Sequence, residues 1–333
     1  MVCFSSNGWE QSPKPVRQVT MEKFVVNDAL PNPRDVRATI SRLFVYPVKS
    51  CAGIEVQEAV LTETGLDLDR AWMVVDGAGE FVTQREQPRM ALIQPQLKHA
   101  EMVLRAPGML ALHLVIDSVE QATTVRVWDD EVKAYDMGDI AAQWFTDFLS
   151  LSPDGLPRKQ AASYRLVRFD PEQTRRSSLQ WTGGVEALNQ FADGFALLVL
   201  GQTSMDEFNT RLQASGLAAV AVQRFRPNIV LAGLESHDED RLGTLHIRTQ
   251  EGVALLQPVK PCPRCSIPNI DPITALSSSE VGDTLQSYRR DARVDGKLTF
   301  GMNAIVLAGA DTVLRVGQTV SADFNFDLPF PST

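Results

Sequence analysis

The sequence predicts a mainly β, α+β chain, built as a barrel or sandwich rather than a doubly wound sheet. Three observations predict it. Short apolar runs bounded by Gly, Pro and polar residues recur at close spacing. Strand-like runs far outnumber helical periods. The step Asp76-Gly77-Ala78-Gly79 joins two runs as a hairpin turn.

Taken in order, residues 1–37 carry Pro13, Pro15, Pro31 and Pro33 without a sustained period, which predicts a flexible N-terminal extension. Order is expected from Ile40, with strands over 40–48, 54–61, 71–75, 80–84, 101–104, 110–116, 124–127 and 131–134. A helix follows, capped by Asp139, with Ile140, Phe145, Phe148 and Leu149 on one face. Ser152, Pro153, Gly155 and Pro157 form a breaker cluster, which marks a boundary between domains over 38–155 and 160–325. Beyond it, 164–169 reads as a strand, 172–184 as a surface loop and 195–200 as a buried strand. Ser204-Met205-Asp206-Glu207 reads as a capping box that starts a helix to about Leu212. Strands are expected at 229–231, 244–248, 254–259, 302–307 and 312–316, and a third helix at 284–290.

Composition narrows the function. The 333 residues are 44% hydrophobic and 22% charged, the balance of a globular protein long enough for two domains. A net charge of −9 argues against general binding to nucleic acid, whose phosphates repel an acidic surface. Runs of apolar residues stop far short of the ~18 that a spanning helix needs, so no membrane segment is expected. The N-terminus lacks a secretory pattern. Four cysteines are too few for a disulfide scaffold, so a reducing, cytoplasmic setting is expected.

Chemistry concentrates in Pro261-Cys262-Pro263-Arg264-Cys265-Ser266-Ile267-Pro268. A structural zinc needs a second ligand pair, and neither the lone Cys3 and Cys51 nor the four scattered histidines supply one. A thioredoxin-like pair needs a helix starting at the first cysteine, which the flanking prolines oppose. One cysteine binding a soft metal, with Arg264 beside it for an anionic ligand, remains open, and so does a packing cysteine. Lys49-Ser50, leaving a strand, offers an ammonium and a hydroxyl to a phosphate; a solvated lysine is the alternative. Arg70 follows Asp69, so a salt bridge competes with an anion site, and Arg226-Pro227-Asn228 reads equally as a turn. Ser204, at a helix N-terminus, could face an anion. Asp271 reads as an Asp-Pro turn rather than a proton relay.

Together these motifs resemble the MOSC-domain family, in particular the mitochondrial amidoxime-reducing components and their bacterial relatives. The resemblance runs over 40–322. It is carried by 46–53, by Leu68-Asp69-Arg70-Ala71-Trp72 and by 81–89. Arg226-Pro227-Asn228, Cys262-Pro263-Arg264-Cys265, Ile270-Asp271-Pro272, Ser287-Tyr288-Arg289 and Val316-Gly317 continue it. It implies a MOSC N-terminal β-barrel domain, a MOSC domain and a molybdenum–molybdopterin cofactor. It implies Cys265 as the molybdenum ligand, and Lys49, Ser50, Arg70, Ser204, Arg226 and Asn228 as cofactor contacts, with Arg264 adjacent to the metal. The activity implied is reduction of N-hydroxylated or other N-oxygenated small molecules. A non-catalytic cofactor carrier or sulfur-transfer module, with Cys262 or Cys51 bearing a persulfide, is the second reading. Inert packing cysteines are the third.

Two departures shape the expected partners. Eukaryotic members carry an N-terminal membrane anchor, and residues 1–37 are too polar for one. Some bacterial relatives append an iron–sulfur domain with four clustered cysteines, a cluster missing from this sequence. Electrons are therefore expected from a separate reductase, ferredoxin-like protein or b-type cytochrome.

Overall fold

The computed structural model describes residues 34–118, 121–151, 156 and 162–326. The first strand is β1 (Val36–Val45), whose first half alternates buried and exposed side chains as a period of two requires. β2 (Ile54–Val56), β3 (Glu58–Thr62), β4 (Gly65–Leu66) and β5 (Trp72–Asp76) follow. β6 (Gln94–Lys98), β7 (Glu101–Arg105) and β8 (Leu112–Val115) make an antiparallel meander. β9 (Gln121–Val127) and β10 (Asp130–Asp136) form a hairpin that runs into α1 (Gly138–Leu149). After β11 (Tyr164–Phe169) and the single turn α2 (Leu179–Thr182), β12 (Leu197–Gly201) leads directly into α3 (Gln202–Ala214). β13 (Ile229–Ala232), β14 (Leu245–Arg248), β15 (Val253–Pro263), α4 (Glu280–Gln286), β16 (Arg290–Asp291), β17 (Lys297–Ala308), β18 (Val313–Arg315) and β19 (Thr319–Ala322) complete the order.

Seven strands close into a barrel in the order β12-β13-β1-β19-β14-β15-β17, and β17 pairs back onto β12. Only β12 and β13 run parallel; every other neighbour in the ring is antiparallel. Closure leaves no unpaired edge in the ring. Its interior is filled by Ile40, Leu43, Val199, Ile229, Leu231, Ile247 and Leu256 among others. A second sheet, β5-β11-β10-β9, packs one face on α1 through Trp72, Trp144, Phe145, Phe148 and Leu166. This is the mainly β architecture that the sequence predicts, with four α-helices among the described residues.

The two halves of the chain exchange strands. β1 completes a barrel otherwise built after residue 196, while β11 inserts between β5 and β10 of the earlier half. Among the described residues no helix is long and apolar enough to cross a membrane.

Several local expectations need correction. The extension expected over 1–37 lies outside the described residues as far as 33, and Val36 and Arg37 already pair with Ala322 and Ser321. The breaker cluster at 152–157 also lies outside them, save for Leu156. The strand expected over 54–61 divides at Gln57, and that over 80–84 is reduced to two bridges, Phe81 to Val75 and Glu80 to Arg126. Asp139 does not cap α1: the Gly138 amide donates to Asp136 Oδ1 at 2.8 Å, and Asp139 pairs instead with Arg165. Ile140 is 80% exposed, because the face that packs is set by Phe145, Phe148 and Leu149. The loop expected over 172–184 contains α2 and a buried Arg175, and α4 begins four residues before the helix expected at 284.

Candidate functional site

Strand register gathers the predicted residues. Pro261 pairs with Met302, Met302 with Val199, Val199 with Ile229 and Ile229 with Leu43, so these positions share one level of the barrel wall. The segments after Leu43, before Val199 and before Ile229, which carry Lys49 and Ser50, Asp193, and Arg226 and Asn228 respectively, therefore meet at one barrel end. β15 runs parallel to β12 across β17, so the chain after Pro261 heads away from that end, and Cys262 to Cys265 reach the same cleft from along its wall. Arg70 joins them because its amide donates to the Tyr46 carbonyl at 2.8 Å and that of Trp72 to the Pro47 carbonyl at 3.0 Å.

Seven of the eight predicted positions line one cleft of about 650 Å³: Lys49, Ser50, Arg70, Arg226, Asn228, Arg264 and Cys265. Eight basic and three acidic side chains line it, in a chain whose net charge is −9. Such a pocket concentrates anions despite the acidic whole. Ser50, Arg70 and Arg226 sit at φ 67°, 52° and 58°, the left-handed region that non-glycine residues seldom occupy. With Trp128 at φ 56°, four such positions line one cleft, a clustering of backbone strain of the kind found at binding sites.

Side-chain contacts define the floor. Lys49, only 5% exposed, donates to the Phe191 carbonyl at 2.8 Å and to the Asp193 carboxylate. Burial pulls its pKa down, against the opposing pull of Asp193. Arg70 bonds Asp69, Asn228 Oδ1 at 3.0 Å and the Arg226 carbonyl at 3.2 Å. Asp69 also accepts the Tyr46 amide at 2.8 Å, which ties the first motif to the second. Arg226 donates to the Cys51 carbonyl at 2.6 Å, and burial followed by repulsion from Arg70 lowers its pKa to about 10. Asn228, fully enclosed, accepts from the Leu198 amide at 3.1 Å and donates to the Phe44 carbonyl at 3.2 Å. It clamps the barrel end while offering its oxygen to Arg70.

The cysteines differ sharply. Cys265 is exposed, Cys262 half-buried and Cys51 buried. Arg264 donates from Nη1 to Cys262 Sγ at 3.1 Å and from Nη2 to the Phe225 carbonyl at 2.9 Å. Its Nε is buried without a partner. Burial pushes the Cys51 thiol up to about 12, which removes it as a neutral-pH nucleophile. Among the described residues no three His, Cys, Asp or Glu side chains cluster as a metal site. A metal here would need ligands of its own beyond a protein thiolate.

Ser204 is not brought to the cleft. α3 starts at Gln202 with Gly201 as its cap, so Ser204 lies inside the first turn, fully buried. Its hydroxyl donates to Glu239 Oε2 at 2.6 Å and accepts the His237 amide at 2.8 Å. The capping-box expectation is corrected for the same reason. Asp271 accepts the Ile273 and Thr274 amides and pairs with Arg224 at 2.7 Å. Burial raises its pKa, but those hydrogen bonds and the arginine outweigh it and hold the carboxylate charged. The turn reading is the one its contacts fit.

Sequence reasoning missed Asp193, Arg175 and Lys260, all of which line the cleft. Arg175 is held by Asn189 Oδ1 and by the Gln190 and Ala192 carbonyls, and pairs with Asp130 at 2.8 Å. Lys260 lies 4.8 Å from the Trp181 ring centre. The one available signal was the Arg175-Arg176 pair inside a polar segment, a pattern that solvated loops also show.

Comparison with known proteins accords with this geometry. Residues 37–152 match the MOSC N-terminal beta barrel domain, and residues 187–321 match the MOSC domain. The chain is 33% identical over 262 residues to mitochondrial amidoxime reducing component 2 of Rattus norvegicus, which covers 75% of this chain and 72% of that protein. It is 32% identical over 295 residues to mitochondrial amidoxime-reducing component 1 of Mus musculus, covering 85% and 81%. Molybdenum cofactor sulfurase of Homo sapiens is 28% identical over 298 residues, covering 84% of this chain but 32% of that longer protein. With both domains matched in order, and about a third of positions identical across most of the amidoxime-reducing components, the chain belongs to the MOSC-domain family.

Proposed function

We propose that the protein is a molybdenum-dependent oxidoreductase, with Cys265 as protein ligand to a molybdopterin-held metal, and that it reduces N-hydroxylated or other N-oxygenated small molecules. The observation that carries this reading is the exposed Cys265 in one cleft with Lys49, Ser50, Arg70, Arg226 and Asn228. The names of the relatives, amidoxime-reducing components and a molybdenum cofactor sulfurase, support it.

The residues fit such a group. Arg264 Nε is a buried donor without a partner, and an anion beside it would satisfy the atom. Lys49, Arg70 and Arg226 would grip a phosphate, with Ser50 and Asn228 adding neutral hydrogen bonds. The Cys265 thiolate suits a soft metal. When bound, the cofactor supplies a two-electron redox centre, which the protein must orient and shield. The reaction consumes two electrons and two protons: the N–O bond breaks, N–OH becomes N–H, and the oxygen leaves as water. A separate reductase, ferredoxin-like protein or b-type cytochrome would supply the electrons. We assign the protein to a reducing, cytoplasmic setting, in keeping with its three free described cysteines.

A cofactor carrier or sulfur-transfer module is the second reading, favoured by one contact: Cys262 Sγ lies 3.1 Å from Arg264 Nη1, a cation that would stabilise a thiolate or persulfide there.

Molybdenum and pterin content of protein from a molybdenum-replete host, compared with Cys265→Ala, tests the ligand. Loss of metal in the variant is expected; equal metal in both would remove the assignment. Benzamidoxime reduction with a chemical electron donor then separates enzyme from carrier. Metal-loaded protein that turns over none of several N-oxygenated compounds would be a carrier.

A further inference from the structure

A second, smaller cavity of about 220 Å³ adjoins the cleft and differs from it in chemistry. Arg226 and Ile267 line both. Its other walls are chiefly apolar, including Ala52, Ala91, Ile270 and Pro272. Arg224, also on the wall, is spent on Asp271 at 2.7 Å and the Pro268 carbonyl at 3.2 Å. The cleft is lined by eight cations, whereas this cavity has only Arg224, paired with Asp271, and Arg226, which it shares with the cleft.

Two polar atoms stand out in it. Gln223 Oε1 and the Tyr46 hydroxyl are buried without hydrogen-bond partners, and both residues line the cavity. A buried acceptor left unpaired costs about 1–3 kcal/mol, so a ligand that donates to it gains that much over one that does not. The volume is informative too. A cavity of about 150 Å³ accommodates benzene, so this one suits a single substituted ring.

We infer that this cavity receives the non-reacting body of the substrate: an uncharged aromatic ring bearing a hydrogen-bond donor, with its N-oxygenated end directed past Arg226 and Ile267 toward Cys265. This inference rests on the proposed reductase activity for its reacting end, and on the cavity alone for its ring. Aryl N-hydroxy compounds are thereby preferred over small aliphatic ones. Gln223 accepts the donor on the ring, and Ala52 sets the depth available to it.

The test uses metal-loaded protein with benzamidoxime, 4-hydroxybenzamidoxime and acetamidoxime. Ala52→Leu fills the cavity from a half-buried wall position. It is expected to raise KM for both aryl compounds about tenfold, leaving kcat and the acetamidoxime kinetics as in the wild type. Gln223→Leu is expected to erase any preference for the hydroxylated ring without weakening benzamidoxime. Equal effects of Ala52→Leu on aryl and aliphatic substrates would overturn the inference. So would a hydroxyl preference that survives Gln223→Leu. Calorimetric titration of 4-hydroxybenzamide, which has no N–O bond to reduce, separates the two readings. Binding that Ala52→Leu abolishes would support the cavity even in a protein that turns over no N-oxygenated compound, and no binding to the wild type would overturn it.

Discussion

Arg70 donates from Nη2 to the backbone carbonyl of Arg226 at 3.2 Å, and both guanidiniums rest on the ring of Tyr46, 4.5 and 4.3 Å from its centre. Two like charges are held together by the ring's electron-rich face and by carbonyls, a cost that an anion between them would offset.

Arg226→Gln tests this directly. The substitution removes one of the two charges but keeps a donor for the Cys51 carbonyl. Losing a charge-assisted hydrogen bond costs about 1.5–3 kcal/mol, so affinity for inorganic phosphate should fall roughly tenfold or more. Thermal stability without phosphate should hold or rise, because a buried charge, and its repulsion from Arg70, are gone. Titration calorimetry in phosphate with an unchanged affinity would remove Arg226 from the anion site.

Lys49 and Asp193 form an uneven pair: their side chains are 6% and 72% exposed. The carboxylate is the one anion contacting that buried ammonium among the described residues, and it lies at the open side of the cleft. Asp193→Asn should therefore destabilise the protein in phosphate-free buffer, by about 1 kcal/mol or a melting-point loss of roughly 2–4 °C. Added phosphate should restore that loss, so the phosphate-induced rise in Tm should be larger in the variant. Identical rises in the two proteins would mean that phosphate does not reach Lys49.

Thiol chemistry should follow exposure. Iodoacetamide at neutral pH is expected to modify Cys265 well before Cys51, whose thiol is buried and pushed up to about 12. Loading with molybdenum cofactor should protect Cys265 and leave Cys51 as it was. Peptide mass spectrometry over a labelling time course reads both. Equal labelling of Cys265 with and without cofactor would argue against its role as the ligand.

Lys49-Ser50, Arg70, Arg226 with Asn228, and Cys265 were legible because each stands in a short segment at a strand end. Polar side chains at such strand ends announce themselves locally. Ring closure was not legible: the sequence shows a strand over 40–48, but not that it starts at Val36 or that its partners lie near residues 230 and 320. Arg175 was hidden for the same reason, since its burial comes from acceptors 14 to 17 residues away. Ser204 misled in the opposite direction. Its local pattern was that of a cap, yet a glutamate 35 residues later takes the hydroxyl.

That glutamate yields the last prediction. Glu239 is fully buried beside Asp240, with Oε2 accepting from Ser204 and Oε1 unpartnered. Burial, reinforced by the Asp240 charge, raises its pKa from 4.5 to about 7. Because the folded value lies above the unfolded one, the folded state favours the protonated form. The stability Glu239 contributes is thus complete below about pH 4.5, declines as pH rises toward 7, and is gone above that. Glu239→Gln keeps the shape and a partner for Ser204 but cannot ionise. Its stability relative to the wild type should grow by up to about 3 kcal/mol between about pH 5 and pH 8. His237, lowered chiefly by burial, titrates in both proteins and cancels in the difference. Urea unfolding of the two proteins across that range reads the difference. A flat difference would mean that Glu239 is ionised in the folded state throughout, and that water or a cation reaches Oε1.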